Sequence, residues 1–278
     1  MAEKESLLNT LLGLSMIVEA RDPYTGGHLW RVSQFSKLLA QEAGLSRRDI
    51  ALCEVGGFLH DLGKVGVPDA ILNKPDRLTD GEYDVIKTHP SVGGRLLTNH
   101  PLANLAFEAV VGHHERPDGK GYPHGLAGDI IPEVARIVGI ADAFDAMTST
   151  RSYRKGMHME KALSIIDDET GRQFDAKLSK HFLALGGTSR LAHIVNHSEP
   201  GLPLQQCGCG APLAIRSSLR DGDHVYCRCC GSESRLSKHG DVRKIEMTGA
   251  RGDAFMLAPD SDPNLIGAMV EDIAPHVL

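Results

Sequence analysis

Apolar residues recur at helical spacing through the first 190 residues of the chain. Leu7, Leu11 and Leu14 are followed by Ile17 and Val18, which is the pattern of one face of an α-helix. Comparable patterns predict further helices over about 28–39, 47–59, 79–89, 102–111, 132–144, 158–169 and 175–185. Because no strand-like alternation stands out in this part, the pattern predicts an all-α helical bundle.

Local signals mark the starts of three of these helices. Ser46 is a candidate N-cap for the third helix, and Asp49 follows three residues later as a rough capping-box partner. Thr79 opens the fourth helix in the same way. Pro132 starts the sixth, because proline is tolerated in a first helical turn.

The chain changes character after the helical part. Glycine and proline accumulate at Gly186-Gly187 and over 198–203, which marks a domain boundary. We therefore predict a helical domain over residues 1–190 and a linker over 191–204. A zinc-ribbon-like β module of short strands follows over 205–247, and a linker with a short final helix over 248–278. The final helix is predicted over Asn264 to Ile273, with Asp262-Pro263 as its cap.

Composition and charge narrow the class of protein. The chain has 278 residues, 41% of them hydrophobic, and a formal net charge of -6. No apolar run is long enough to cross a membrane, and the N-terminus lacks the basic start and apolar core of a signal peptide. These features predict a cytoplasmic protein that does not bind membranes. The negative charge disfavours general binding to nucleic acid through the phosphate backbone.

Histidines and aspartates carry the candidate chemistry. His60-Asp61 follows the apolar stretch 50–59, where such a pair is costly to bury unless something binds it. Residues of the same kind follow elsewhere, at His28, His89, His113, His114 and Asp142. By spacing alone, a lone histidine is more often a surface residue than a ligand. Together the seven side chains are enough for two metals, and such mixed sets suit iron, manganese or zinc and activate water for hydrolysis.

Several ordered motifs over about residues 15 to 185 resemble the HD-GYP domain, a subgroup of the HD phosphohydrolase superfamily. The resemblance rests on the segments Arg21 to His28, His60 to Gly66, His89-Pro90, His113 to Glu115, Asp118 to Pro123, Ile140 to Thr148 and Arg151 to Arg154. It implies an all-α HD-domain bundle. It also implies degradation of cyclic di-GMP, or of a related cyclic dinucleotide.

The resemblance also implies a role for each ligand. One metal would be held by His28, His60, Asp61 and Asp142. Asp61 would bridge to a second metal, held by His89, His113 and His114. A hydroxide between the metals would attack phosphorus while the metals absorb charge on the phosphate oxygens. Lys64 would stabilise the developing charge, so Asp61 and Lys64 are the expected catalytic residues. Two divalent ions are expected at this site, and iron or manganese is their expected identity.

Five further positions match family residues near the ligand. Tyr122 lies in the Gly121-Tyr122-Pro123 loop, where it would stack on a guanine or contact phosphate. Arginine binds phosphate oxygens through its planar fork, which suits the matches at Arg151 and Arg154. Asp22 would contact the guanine edge. Asp145 lies one turn beyond Asp142, and we expect it to orient Lys64 or the ligand.

Tyr24 is a departure from the family pattern. Some members have a glutamate at this position, four residues before the first metal histidine, and it helps to hold a third metal. A phenol is a poor ligand at neutral pH. We therefore predict a site for two metals, and a first cleavage that yields the linear dinucleotide.

Clustered cysteines predict a second metal site. Cys227 to Cys230 has the spacing of a zinc-ribbon knuckle, whereas Cys207 and Cys209 are separated by one residue rather than two. We expect a structural zinc on four thiolates, with Cys229 as a substitute, at Cys207, Cys209, Cys227 and Cys230. The alternative is a redox-labile thiol cluster.

The resulting interpretation is a metal-dependent phosphodiesterase that hydrolyses cyclic di-GMP to linear pGpG, with onward hydrolysis to GMP left open. One alternative is a cyclic di-GMP-responsive interaction module with little turnover. Another is an HD phosphohydrolase for a different cyclic dinucleotide. A protein partner on the GYP loop or the cysteine module, and a homodimer, also stay open.

Overall fold

The computed structural model describes residues 2–22, 24–74, 76–150, 154–240 and 242–278. A mostly helical domain comes first and small antiparallel sheets follow, as predicted. The α-helices are α1 (Ala2–Glu19), α2 (His28–Glu42), α3 (Arg47–Leu59), α4 (Asp69–Leu72), α5 (Asp80–Ile86), α6 (His89–Leu97), α7 (Phe107–Gly112), α8 (Glu133–Thr148), α9 (Met159–Asp168), α10 (Ala176–Gly186) and α11 (Pro263–Val277). Short 3-10 helices cover Leu62–Gly66, Ala103–Leu105 and Gly128–Ile130. Within these described ranges, no helix has the length and apolar character needed to cross a bilayer.

Three phenylalanines lie at the centre of the helical core. The ring centroid of Phe144 in α8 lies 5.1 Å from that of Phe35 in α2 and 5.0 Å from that of Phe182 in α10. Both contacts are edge to face, which is a favourable geometry for aromatic pairs. Helix α2 also packs against α3. The helices that carry His28 and Asp142 are therefore anchored in a tightly packed core.

The predicted helix starts are confirmed in their hydrogen bonds. Ser46 Oγ accepts a hydrogen bond from the Asp49 backbone N–H at 3.2 Å. Thr79 and Glu82 form a reciprocal capping box, in which each side chain accepts from the other residue's backbone N–H. Helix α8 begins directly after Pro132.

Two predicted helices differ from the structure. The helix predicted over 79–89 is broken, because α5 ends at Ile86 and α6 begins at His89. Pro90 explains the break: its ring would clash with the carbonyl of Ile86 in a continuous helix, and it has no N–H to donate. The helix predicted over 102–111 is a 3-10 helix followed by the shorter α7.

The sheets build what we call the cysteine module, residues 197–251. Its strands are β1 (His197–Glu199), β2 (Leu202–Pro203), β3 (Gln205–Gln206), β4 (Pro212–Leu213), β5 (His224–Tyr226), β6 (Ser232–His239) and β7 (Val242–Arg251). They pair antiparallel as β1-β2, β3-β4 and β5-β6-β7. Two cysteine-bearing turns join β3 to β4 and β5 to β6, which is consistent with a zinc-ribbon-like module.

Some strands lie where linkers are predicted. The pair β1-β2 lies within 191–204, and β7 continues past residue 247 to Arg251. The division of the chain into domains stays a prediction.

The last helix returns to the first domain. Helix α11 extends beyond the predicted Ile273 end and packs against α1 and α3. Its residues Ile266, Met269 and Ile273 belong to the same apolar cluster as the core of the helical bundle. Asp262 caps the helix by accepting from the backbone N–H of Asn264 at 3.0 Å.

We expect Gly63→Ala to destabilise the helical domain. An ideal Cβ on Gly63 would lie 1.9 Å from the carbonyl oxygen of His89 and 2.5 Å from the backbone N of Gly93. Overpacking of this kind costs about 1–3 kcal/mol of unfolding free energy, which a urea titration would measure. Gly81→Ala is the matched control, because its Cβ would meet no atom within 4 Å. Equal midpoints for the two variants would contradict this close packing.

Candidate metal centre

The side chains predicted to bind the metals of the HD-GYP domain meet in one cluster. His28 begins α2, His60 caps the end of α3, His89 begins α6, His113 caps α7 and Asp142 lies in α8. Asp61 follows His60, and His114 follows His113. Potential ligand atoms within 4.8 Å of one another occur in three overlapping groups: His28, His60 and Asp142; His60, Asp61 and His113; and His89, His113 and His114.

Hydrogen bonds at Nδ1 orient the imidazole rings. His60 Nδ1 and His89 Nδ1 each donate to the backbone carbonyl three residues earlier, at 2.7 and 2.8 Å. His113 Nδ1 donates to carbonyls of the preceding turn at 3.1 Å, and His28 Nδ1 donates to Asp145 at 2.7 Å. Because these oxygens accept only, each Nδ1 carries a proton, and Nε2 is the nitrogen left to coordinate a metal.

Asp61 lies between two sets of imidazoles. Its Oδ2 is 3.5 Å from His28 Nε2 and 3.3 Å from His60 Nε2. Its Oδ1 is 3.4 Å from His89 Nε2. The two carboxylate oxygens therefore face different ligand groups, which is the arrangement that a bridging carboxylate requires.

Two features of the cluster fit bound cations. His60 Nε2 is buried and has no hydrogen-bond partner in the described part of the chain. The Nε2 atoms of His89 and His113 lie 3.1 Å apart. Because both rings carry their proton on Nδ1, this contact joins two lone pairs and is not a hydrogen bond. Buried acceptors without partners are costly, and a cation bound at these nitrogens removes that cost.

The electrostatics hold Asp61 and three of the histidines in the forms that bind metal. Burial lowers the pKa of His89, lowers that of His113 well below its usual range, and lowers that of His114 to about 3. Burial alone would raise the pKa of Asp61, but the positive charge of the neighbouring Lys64 is the largest of the opposing effects, and together they lower that pKa well below the ordinary value. Neutral imidazoles and an ionised carboxylate are the forms that coordinate metals.

His28 differs from these three histidines. Burial alone would lower its pKa, but its hydrogen bonds to Asp145 and Asp61 outweigh burial and raise that pKa to about 9. This ring must therefore release a proton when a metal binds.

Lys64 lies at the edge of the cluster. Its Nζ is 2.6 Å from Asp61 Oδ2. Lys64 and Asp22 line a cavity of about 460 Å³ on one side of the cluster. On the other side His114 and Tyr122 line a cavity of about 510 Å³. His113, His114 and Asp142 line this second cavity, so these predicted metal ligands face a space large enough for part of a nucleotide ligand.

Asp145 does not have the predicted role. It is fully buried and accepts hydrogen bonds from His28 Nδ1 at 2.7 Å and from Arg31 Nε at 2.5 Å. Arg31 Nη2 and Ser149 Oγ donate at 3.1 and 3.2 Å to Oδ2, the oxygen that also accepts from His28. Its oxygens are therefore occupied by protein donors, and Asp145 orients His28, a predicted metal ligand, rather than Lys64 or a substrate.

Tyr122 is placed against His114, a predicted metal ligand. Its ring stacks on His114, with centroids 4.6 Å apart and an interplanar angle of 28°. The loop around it is held by Glu115, whose carboxylate accepts from the backbone N–H of His124 at 2.7 Å and of Leu126 at 2.9 Å. Tyr122 also lines the cavity beside His114, and its role in substrate binding stays a prediction.

The other predicted substrate contacts are placed differently. Asp22 lines the same cavity as Lys64, and it accepts from the Tyr24 backbone N–H at 2.9 Å. Arg154 directs its guanidinium to the carbonyl of Ala146. Arg151 lies outside the described residues. The roles of all three arginine and aspartate positions stay predictions.

Tyr24 points to the cysteine module. Its hydroxyl lies 2.9 Å from Cys229 Sγ. That hydrogen bond, with some burial, raises the pKa of Tyr24 to about 12. A phenol that stays protonated and is engaged elsewhere is a poor metal ligand.

The four cysteines predicted to bind zinc are brought together. Cys207 Sγ lies 3.6 Å from Cys230 Sγ, and Cys209 Sγ lies 3.7 Å from Cys227 Sγ. These distances are too long for disulfides. Four thiolates at zinc–sulfur distances of about 2.3 Å in a tetrahedron have sulfurs about 3.8 Å apart, so the cluster fits a tetrahedral metal.

Sequence reasoning missed two residues of the site. Arg31 and Glu115 are buried charges that orient His28 and the Tyr122 loop through the contacts described above. The sequence offers one indication for Arg31. It lies one helical turn after His28, so its side chain is expected on the same face of the helix. Glu115 follows His114 directly, but its partners come from backbone that the spacing does not predict.

Comparison with known proteins identifies relatives of the helical part. The family model described as HD domain matches residues 13–178, more than half of the chain. The cyclic di-GMP phosphodiesterase response regulator RpfG of Xanthomonas campestris pv. campestris is 41% identical over 60% of this chain and 45% of that protein. A Thermotoga maritima protein named cyclic di-GMP phosphodiesterase is 39% identical over 66% of this chain and 50% of that protein.

A third relative is named for a different cyclic dinucleotide. The 3'3'-cGAMP-specific phosphodiesterase 3 of Vibrio cholerae serotype O1 is 39% identical over 57% of this chain and 35% of that protein. The chain spans half or less of the length of each of these three relatives.

We expect Asp145→Asn to weaken metal binding at the centre. The substitution removes the carboxylate that orients His28 and leaves the buried Arg31 without its counter-charge. Loss of such an outer partner typically lowers metal affinity about 10- to 100-fold, which a calorimetric titration with Mn²⁺ would measure. Asp84→Asn on the exposed surface is the control. Equal affinities for the two variants would exclude the orienting role.

Proposed function

The chain belongs to the HD domain family, and on that basis we propose that it is a metal-dependent phosphodiesterase that hydrolyses cyclic di-GMP. The observation that carries the proposal is the position of Asp61, whose two oxygens face separate imidazole groups. A dinuclear site needs this arrangement, and a binding module without turnover does not. Relatives of the helical part named cyclic di-GMP phosphodiesterases support the choice of substrate.

The ligand set divides around Asp61. We propose that His28, His60, Asp61 and Asp142 hold one divalent metal, and that the second is held by Asp61 with His89, His113 and His114. Iron or manganese suits these imidazole and carboxylate donors. When bound, the two ions supply activated water and neutralise charge on the phosphate oxygens.

The remaining chemistry belongs to the chain itself. The Lys64 ammonium sits 2.6 Å from Asp61 Oδ2, where it stabilises negative charge that builds on the phosphate during attack. Asp145 keeps the His28 ring in the tautomer that directs Nε2 inward. Glu115 holds the loop that carries Tyr122 beside His114. These groups position the reacting atoms before substrate arrives, which is how rigid sites lower a barrier.

The space around the centre supports a dinucleotide substrate. The two cavities, of about 460 and 510 Å³, meet at Tyr83, which borders both. One half of a cyclic dinucleotide would occupy the side of Lys64 and Asp22, and the other the side of Tyr122. The 3'3'-cGAMP-specific relative makes a mixed cyclic dinucleotide the second candidate substrate.

The cysteine module has its own proposed metal. We propose that Cys207, Cys209, Cys227 and Cys230 hold one structural zinc. The sulfur separations of 3.6 and 3.7 Å support this assignment over a disulfide pair. Such a site is closed and acts by cross-linking the two turns of the module.

Hydrolysis of cyclic dinucleotides by the metal-loaded chain tests the main proposal. Asp61→Ala should abolish turnover, because it removes the bridging ligand and the partner of Lys64. Chromatography of cyclic di-GMP, 3'3'-cGAMP and cyclic di-AMP reactions over time would show which is cleaved, with linear pGpG expected before GMP. Asp84→Ala on the surface is the control. Binding without cleavage by the unmodified chain would refute the enzyme assignment.

Elemental analysis tests the number and identity of the metals. Anaerobically purified chain should hold two ions at the HD centre and one zinc in the cysteine module. Cys227→Ser should lose the zinc, because it removes one of four thiolates. Lys238→Ala, an exposed residue of the same module, is the control. Three ions at the HD centre, or full zinc retention by Cys227→Ser, would contradict the assignment.

A further inference from the structure

The cysteine module contacts the short segment that leads into the metal ligand His28. We call this segment, residues 24–27, the entry segment. Tyr24 packs against the buried residues at the centre of the module, and its hydroxyl lies 2.9 Å from Cys229 Sγ. Cys229 lies between Cys227 and Cys230, so the position of its thiol depends on the turn that these two cysteines form.

Two glycines bring the entry segment against the module's backbone. An ideal Cβ on Gly27 would lie 2.7 Å from the Cα of Ser198, and one on Gly26 would lie 3.3 Å from the Cβ of Ala214. Gly27 also has a φ of 75°, which favours glycine. A side chain at Gly27 would therefore push the module away from the start of α2.

Arg31 continues the contact toward the metal centre. Its side chain is 1% exposed. Nη1 donates to the carbonyl of His197 in β1 at 2.9 Å, while Nε donates to Asp145 at 2.5 Å. Asp145 in turn accepts from His28 Nδ1 at 2.7 Å. A continuous set of hydrogen bonds therefore joins the module's backbone to the imidazole of a metal ligand.

The strand that Arg31 contacts is tied to the rest of the module. Ser198 Oγ donates to the carbonyl of Ile215 at 3.1 Å. The buried Glu199 carboxylate accepts from the backbone N–H of Ser217 at 2.5 Å. Strand β1 thus moves with the segment that follows β4, which is the strand after the first cysteine turn.

From these contacts we infer that the cysteine module is a positioning element for His28, and that the metal held by its four thiolates maintains that position. The inference rests on the proposed zinc site. The first cysteine turn is held internally by β3-β4 and by the backbone hydrogen bonds of Cys207 and Gly210, and the metal would join this turn to the second cysteine turn. Without the thiolate-bound metal, Tyr24 and Arg31 lose ordered partners in the module. Part of the free energy of metal binding at the HD centre is then used to order His28, so the affinity falls.

The contact surface provides its own spectroscopic probe. Trp30 is the chain's single tryptophan and is buried. It borders a cavity of about 300 Å³ between the helical domain and the module, together with Phe58, Leu213 and Ile215. Because this space is not filled by side chains, a shift of the module changes the surroundings of Trp30 and its emission.

A double-mutant cycle tests the Tyr24–Cys229 link in the full chain. Tyr24→Phe and Cys229→Ala should each weaken Mn²⁺ binding at the HD centre about two- to tenfold, the range for loss of one hydrogen bond. The double variant should bind Mn²⁺ as tightly as the single variant with the lower affinity, because both substitutions remove the same hydrogen bond. Free Mn²⁺ would be counted by electron paramagnetic resonance. Additive effects, or affinities equal to that of the Lys238→Ala control, would overturn the inference.

Removal of the metal bound by the four thiolates tests whether that metal maintains the position of the cysteine module. Cys227→Ser should lose zinc, shift the Trp30 emission to longer wavelength and weaken Mn²⁺ binding about tenfold or more, as loss of an outer ligand partner does. Zinc loss with unchanged emission and Mn²⁺ affinity would overturn the inference. Unchanged zinc content would overturn the thiolate assignment and the inference with it. Neither readout needs turnover, so a failure of the proposed phosphodiesterase activity is detected separately.

Discussion

Burial of the charged and polar side chains at the candidate metal centre is the constraint on which the rest of this structure depends. His28, His60, His89 and His113 are each at most 2% exposed, and Asp61 is 8% exposed. Such groups are stable in a core only when every polar atom has a partner. Backbone carbonyls and Asp145 satisfy the Nδ1 side of each ring, which leaves the Nε2 side for cations. The helix ends supply those carbonyls, so the fold and the metal centre are specified by the same contacts.

The clustering of the candidate ligands could be predicted from the sequence because each lies in a local motif, and most of these motifs also set a helix end. The buried charges that orient these side chains were harder to predict from the sequence. Arg31 and Glu115 act on groups brought together by tertiary structure, and a single sequence does not show those distances. Asp145 illustrates the limit. Its position one helical turn beyond Asp142 shows which face of α8 it lies on. Only the packing of α2 against α8 shows that Asp145 contacts Arg31 rather than the substrate cavity.

Helix boundaries show the same division between local and long-range information. The caps at Ser46 and Thr79 depend on residues within one turn, and the structure has them as predicted. The break at Pro90 is also local, but the helical spacing of apolar residues continued across it and concealed it. In the cysteine module, strands as short as two residues carry no periodicity of their own. The pairing of β3 with β4 follows from the first cysteine turn.

The return of α11 to the helical core has a topological consequence. Leu178 and Phe182 of α10 and Ile266 and Ile273 of α11 belong to one apolar cluster, so the cysteine module is a closed loop anchored at both ends. Its two ends cannot diffuse apart, and the module faces the start of α2 at a high effective concentration. A closed loop of this kind re-forms its contacts at once after a local opening. The module therefore behaves as a captive intramolecular ligand of the helical domain, never as a partner that must be found by collision.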